Sequence, residues 1–266
     1  MPITIGADIR KLSQQEFSRI AFSVTRELFD LHNTLGRLFD EQVYQQALAS
    51  RIDDVQTEVR VEVSYAEFFK QYYLDALVDG GALFEFKAVS ALNNSHRSQV
   101  LNYLLLTGLQ HGKLVNFRSD RIEHEFVNTK LTRDTRTRFL VDELEWQPTQ
   151  GFENETKESI VEMLREWGTC LSRSLYNDAI TDVLCGRNPE VREIEVFADG
   201  SPIARQGILQ CSPGIAFKTT TIEGGLESYR EHLYRFLVHT SLDAIQWVNI
   251  GRDRVRLETM LKKRPR

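Results

Sequence analysis

Asp79-Gly80-Gly81 stands between two apolar runs, Leu74 to Val78 and Ala82 to Val89. That arrangement admits little besides a tight antiparallel hairpin, because Asp-Gly supplies the positive φ values such a turn needs. The segment Asp75 to Lys87 therefore reads as two short strands. Side chains alternate along a strand, so Glu85 and Lys87 share one face and Phe84 and Phe86 the other. An acid and a base on an otherwise apolar strand are costly to bury unless they pair or bind something. Asp75, on the neighbouring strand, brings a second carboxylate alongside. Two carboxylates and a lysine at one strand edge suit a hard divalent cation and the water it activates. A structural ion pair at a sheet edge is the other reading.

The next segment, His96 to Gly108, has helical spacing. Val100, Leu101, Leu104 and Leu105 make an apolar stripe. His96, Gln99 and Tyr103 fall on a second, polar face. Gly108 suits the residue after a helix C-terminus. Lys113 to Phe117 then reads as a further strand, giving an α/β unit with its polar residues gathered at one edge.

In this order the residues resemble the PD-(D/E)XK nuclease superfamily, and within it the bacterial group called GxxExxY proteins. The resemblance rests on Leu35 to Tyr44 (L-G-R-L-F-D-E-Q-V-Y), Leu74 to Val78 (L-D-A-L-V), Glu85 to Val89 (E-F-K-A-V), the His96 to Gly108 helix and Leu114 to Phe117 (L-V-N-F). It runs from about residue 20 to 128. Leu38 departs from the group, standing where a glycine is usual, so the turn before Glu41 is expected to differ.

The resemblance implies a role for each matching residue. Asp75 and Glu85 would ligate Mg²⁺ or Mn²⁺, with Glu41 facing the ion from the first helices. Lys87 would orient or activate the attacking water, and Gln99 and Tyr103 would position Lys87 or the substrate phosphate. His96 and Arg97, at the start of the same helix, are candidates for contact with the substrate. Phosphodiester hydrolysis needs a nucleophile made at neutral pH and stabilisation of the oxygens that gain charge, which a metal and a lysine supply.

The second half of the chain repeats the first at a shift of about 132. Glu58-Val59-Arg60 recurs as Glu190-Val191-Arg192, Tyr44 as Tyr176, Gly36 as Gly168, Arg97 as Arg230 and Val115-Asn116 as Val248-Asn249. Sequence alignment sets Phe86-Lys87 against Phe217-Lys218, which puts Gln206 at the place of Asp75 and Ala216 at that of Glu85. Arg173 falls at Glu41, His232 at Gln99 and Arg235 at Asn102. The expected organisation is α/β (α+β), with two tandem restriction-endonuclease-like lobes, each a central mixed sheet flanked by helices. Residues 1–130 form the lobe with an intact motif, 131–157 a linker that holds a strand or short helix over Leu140 to Trp146 and breaks at Gln147 to Gly151, and 158–266 a degenerate lobe. Without its carboxylates the second lobe lacks anionic metal ligands. It either grips nucleic acid through Arg173, Lys218, Arg230 and Arg235 or covers the first lobe's apolar surface.

The net charge of −5 confines any phosphate-binding surface to local patches. Candidates are Arg118 and Arg121, then Arg133, Arg136 and Arg138, then the tail Lys262, Lys263, Arg264 and Arg266. No apolar run approaches the length of a membrane helix, so no membrane partner is expected. No signal peptide is visible at the N-terminus, and Cys170, Cys185 and Cys211 lack metal-ligand spacing; together these point to reduced thiols in the cytoplasm. The expected partner is nucleic acid, DNA ahead of RNA, met by a pseudo-dimer within one chain, with further oligomers open. A non-catalytic nucleic-acid-binding or scaffold protein on the same fold is the competing reading.

Overall fold

The computed structural model describes residues 2–149, 154–185 and 190–262. The chain divides into two compact units, Met1–Arg133 and Asp134–Arg266. The first runs β1 (Ile3–Ile5), α1 (Gln14–Leu35), α2 (Glu41–Ala49), β2 (Val55–Tyr65), β3 (Phe68–Val78), β4 (Ala82–Lys87), α3 (Asn94–Thr107), β5 (His111–Asn116) and β6 (Glu123–Asn128). Its six strands lie in the order β1-β2-β3-β4-β5-β6. All neighbours are antiparallel except β4 and β5. That parallel pair needs a crossover, and α3 supplies it.

Local chemistry sets the boundaries. Ser13 and Glu16 form a capping box that starts α1. Phe17, Ala21, Val24, Leu28 and Leu31 on α1 pack with Tyr44 and Leu48 of α2 against Phe84, Phe86 and Phe117. Because Phe84 and Phe86 face these helices, Glu85 and Lys87 face the other side of the sheet, which α3 covers; Val100 and Leu104 close on Gly112 there. The β3–β4 turn has positive φ at Asp79 (53°) and Gly80 (63°), and Gly81 N–H donates to Val78 C=O at 3.1 Å. Gly81 has no room for a side chain, since a Cβ would lie 2.3 Å from the Arg10 carbonyl oxygen.

The second unit opens with the short α4 (Arg133–Arg136) and contains β7 (Leu140–Glu145), α5 (Asn154–Trp167), α6 (Arg173–Cys185), β8 (Glu190–Ala198), β9 (Ser201–Ser212), β10 (Ile215–Thr220), α7 (Leu226–Val238), β11 (Ala244–Ile250) and β12 (Arg254–Leu261). Five strands, β8-β9-β10-β11-β12, repeat the order of β2 to β6, again with one parallel pair, β10 and β11, joined by a helix. The sixth differs: β7 lies parallel beside β12, whereas β1 lies antiparallel beside β2. Both units are thus six-stranded mixed sheets flanked by helices. Residues 131–157, expected as a linker, instead contribute α4, β7 and the start of α5 among their described residues. The pairing partner that makes β7 a strand lies more than a hundred residues downstream, out of reach of local pattern. Gln150 and Gly151 of the expected breaker lie outside the described residues.

Three side-chain arrangements recur between the units. Tyr44 Oη donates to Gly36 C=O at 2.5 Å, and Tyr176 Oη to Gly168 C=O at 2.6 Å. Asn116 brackets Val89, accepting from its N–H at 3.1 Å and donating to its C=O at 2.9 Å; Asn249 brackets Ile222 at 2.9 and 3.0 Å. Arg97 Nε donates to Glu125, and Arg230 Nε to Glu258, each at 2.5 Å.

These anchors correct the alignment of the two halves. Lys87 lies opposite Asn116 and Glu85 opposite Leu114, while Thr220 lies opposite Asn249 and Lys218 opposite Trp247. Lys218 therefore occupies the register of Glu85, and Thr220 that of Lys87. The pairing of Ala216 with Gln210, matching that of Leu83 with Leu77, sets Ile208 rather than Gln206 at the place of Asp75. The similar Phe-Lys dipeptides misled because a two-residue slip keeps the same face of a strand.

Candidate active site

β3 and β4 carry the two carboxylates and α2 supplies a third. Asp75 is clamped by two donors: Gln45 Nε2 donates to its Oδ1 at 2.8 Å and Phe86 N–H to its Oδ2 at 2.7 Å. Glu85 is 1% exposed. Its Oε1 accepts from Lys87 Nζ at 2.6 Å, and its buried Oε2 has no hydrogen-bond partner. Glu41, at the first turn of α2, accepts from Ala88 N–H at 2.9 Å, and its other oxygen lies 4.0 Å from Lys87 Nζ. On α3, Gln99 Nε2 donates to Tyr103 Oη at 3.0 Å.

The electrostatics follow from this crowding. Burial raises the Asp75 carboxyl to about 6, against the bond from Phe86, and the charges of Glu41 and Glu58 add to the rise. Glu85 is pushed up by burial and by Asp75, more than Lys87 draws it down. Burial disfavours the Lys87 ammonium, but Glu85, Asp75 and Glu41 together hold its pKa above the ordinary value. The Tyr103 phenol is raised by burial and then by Glu85. One lysine thus stands against several carboxylates, and an added cation would relieve the excess.

The fit to a divalent ion can be tested on these atoms. In favour stand the orphaned Glu85 Oε2, the adjacent Asp75 and the Phe86 backbone. Against a ready-made cage, no group of three or more His, Cys, Asp and Glu side chains among the described residues is arranged to hold an ion. The donor chemistry fits two carboxylates plus a backbone carbonyl, with water completing the shell.

Not every expected residue joins the cluster. His96 Nδ1 accepts from Asn93 N–H at 3.2 Å as part of the α3 capping box. Arg97 is bound by Glu125 through both Nε and Nη2 and also donates to Asn94, so it pins α3 to β6. Arg230 makes the equivalent pin in the second unit, and Arg235 is exposed on α7 beside Glu231, 3.8 Å away. Among the other basic candidates, Arg136 is buried and donates to the carbonyls of Trp167 and Thr169, and Arg118 donates to Ala88 C=O. Lys262 donates to Thr240 C=O, whereas Lys263, Arg264 and Arg266 lie outside the described residues.

Sequence reasoning missed two residues at the site. Gln45 was findable, as a polar side chain on the buried face of α2 between Tyr44 and Leu48. Glu58 was not: it sits in β2 at φ 52°, a left-handed conformation that costs a non-glycine residue energy and has no sequence signal.

In the second unit, the α7 face of the sheet opens into a cleft of about 320 Å³. Ile208, Lys218, Tyr229, His232 and Phe236 line it. Counted from the paired arginines and asparagines, it corresponds to the Asp75–Glu85 site.

Residues 18–129 match the family model of the PD-(D/E)XK nuclease superfamily. No curated protein matches the chain. Among solved structures, the crystal structure of SSO0001 is similar over 46% of this chain and 60% of that one, at 19% identity and a TM-score of 0.29. No helix among the described residues is long and apolar enough to cross a membrane.

Proposed function

We propose that the first unit is a metal-dependent nuclease site hydrolysing phosphodiester bonds in DNA, with RNA as the alternative substrate. The observation that carries this reading is Glu85, a buried carboxylate with one oxygen on a lysine and the other on nothing, beside Asp75. The superfamily match over residues 18–129 supports it. Asp75 and Glu85 would hold Mg²⁺ or Mn²⁺, with Glu41 at the rim. When bound, the ion would acidify a water and stabilise charge on phosphate oxygens. Lys87, kept protonated by its carboxylate neighbours, orients the attacking water and neutralises the phosphate. Gln45 and the Phe86 N–H fix the Asp75 carboxylate. The Gln99–Tyr103 pair, reaching in from α3, sets the position of the phosphate.

The second unit reads as a degenerate copy, arisen by duplication and without catalysis, since Ile208, Lys218 and Thr220 stand where Asp75, Glu85 and Lys87 would. Functional lobes of about 1–130 and 158–266, reduced thiols and a cytoplasmic setting belong to the same proposal. A specific observation favours the competing reading of a non-catalytic binder: every oxygen of Asp75 and one of Glu85 already has a protein donor. Incubation of the purified protein with labelled single- and double-stranded DNA and RNA, with Mg²⁺, Mn²⁺ or chelator, separates the two. Metal-dependent cleavage lost in Lys87→Ala is the expected result. Binding with no cleavage in either metal would leave the scaffold reading.

A further inference from the structure

We propose that the cleft on the α7 face of the second unit is a binding site for a phosphorylated nucleotide, free or as the phosphorylated end of a strand. The inference rests on the nuclease reading only for the class of ligand. Its own grounds are positional, electrostatic and steric.

Counting from Arg97 and Arg230, which make the same ion pair, Tyr229 takes the place of His96, His232 that of Gln99 and Phe236 that of Tyr103. Strand register puts Lys218 at Glu85 and Ile208 at Asp75. Arg173 opens α6 as Glu41 opens α2. Each metal-binding carboxylate of the first unit is thus answered by a cation or an apolar group. A divalent ion has no anionic ligand among these residues, while an anion meets two basic side chains in the lining, Lys218 and His232, with Arg173 acting on Tyr229 at its margin.

Those side chains are unspent. Lys218, His232 and Arg173 make no hydrogen bond or ion pair with another described residue. In the first unit the corresponding face has its one lysine bound to Glu85 at 2.6 Å. Arg173 lies near enough to Tyr229 to lower its phenol against the rise due to burial. Apart from Gln206 the rest of the lining is mostly apolar and partly aromatic, with Tyr229, Phe236 and Ile208. Unpaired cations beside an aromatic wall fit a phosphate joined to a planar base. A terminal phosphate carries more charge than an internal diester, so the site prefers an end or a mononucleotide to the middle of a strand. The volume of about 320 Å³ is on the scale of one nucleotide.

The test uses the full chain carrying Asp75→Ala, in chelator, so that the first unit contributes no metal chemistry. Titration calorimetry compares adenosine 5′-monophosphate, adenosine, inorganic phosphate, and a short single strand with a 5′-phosphate or a 5′-hydroxyl. Adenosine 5′-monophosphate is expected to bind at least about tenfold more tightly than adenosine or phosphate alone, and Lys218→Ala to weaken it by about tenfold or more. Tyr229→Leu is expected to weaken it several-fold, through the base. Lys218 is exposed, so its alanine variant keeps the fold, which circular dichroism checks. If only the 5′-phosphate strand shares the site, the source is a strand end; if only the mononucleotide binds, it is free nucleotide. Equal binding of adenosine and its monophosphate, or a Lys218→Ala affinity within twofold of the parent, overturns the proposal. So does absence of binding by both phosphorylated ligands. None of these results bears on wild-type cleavage, which tests the first unit separately.

Discussion

Glu85 is held with its carboxylate on the α3 face of β4 because Phe84 and Phe86 claim the opposite face. Removing charge there has calculable consequences. Lys87→Ala should cut the cleavage rate by about a hundredfold or more, the scale of a lost acid–base or water-orienting group, while Mn²⁺ binding measured by calorimetry survives. Loss of both together would mean that Lys87 only holds the site's shape. Asp75→Ala should abolish the Mn²⁺ heat, since Glu85, with Glu41 only at the rim, cannot hold the ion; unchanged heat would sink the metal assignment. A second buried lysine, Lys113, faces α1, donates to Thr25 at 2.5 Å and lies over the Phe126 ring at 4.6 Å, with His124 the titratable neighbour, its own pKa lowered by burial and by Lys113. Burial lowers its pKa to about 8. Below about 8 both folded and unfolded chains hold the proton, and the cost of the buried charge is fully present. As pH rises, the folded chain releases the proton first, so the unfolded chain binds more and stability rises. Denaturant unfolding at pH 7 and pH 9 should show a gain of roughly 1 kcal/mol from this group. Lys113→Met should lack that gain; an equal rise in the variant would assign it elsewhere.

At the level of elements, the paired ion pins give a contrast. Glu125 is partly exposed, whereas Glu258 is 1% exposed and also meets Arg256 at 3.2 Å. Arg97→Ala should therefore cost little, as exposed pairs do. Arg230→Ala, which strips one of the partners of a buried carboxylate, should cost at least about 2 kcal/mol. Urea titration of the two variants decides; equal losses would show that burial of Glu258 is not what matters. What could be read from the sequence divides along the same line between local and distant. The β3–β4 hairpin was legible because Asp79 and Gly80 carry their turn conformation in their own chemistry, and α3 because its apolar stripe and Gly108 mark it. Asp75, Glu85 and Lys87 fall together by strand alternation alone. β1, three residues long, has no local signal; the Leu140 to Trp146 run fits a strand or a short helix alike, and only its pairing with β12 makes it β7. Neither has the commitment of Arg97 to Glu125, since a basic residue at a helix start looks the same whether it meets a phosphate or a carboxylate. The true place of Lys218 was hidden by a slip of two, which preserves every face and every apolar contact.

For the whole molecule, the decisive count is of carboxylate pairs in corresponding positions. The first unit has Asp75 and Glu85; the second has Ile208 and Lys218 at the same registers. On the proposed reading a chain holds one hydrolytic site, and one such site breaks one strand per visit. With supercoiled plasmid as substrate, open circles should accumulate first and linear DNA only later, from independent nicks that happen to fall opposite each other. The net charge of −5 adds a condition. With no overall attraction to a polyanion, encounter depends on local cations, so cleavage should fall steeply as salt rises from about 50 to 200 mM. Raising the protein concentration at fixed nicking extent should leave the ratio of linear to open circles unchanged if each chain acts alone. A ratio that climbs with concentration would mean that two chains assemble on the duplex, each cutting one strand. Linear DNA with no open-circle intermediate at the lowest concentration would mean instead that the second unit cuts as well, and the one-site account would fail however well Lys87→Ala behaved.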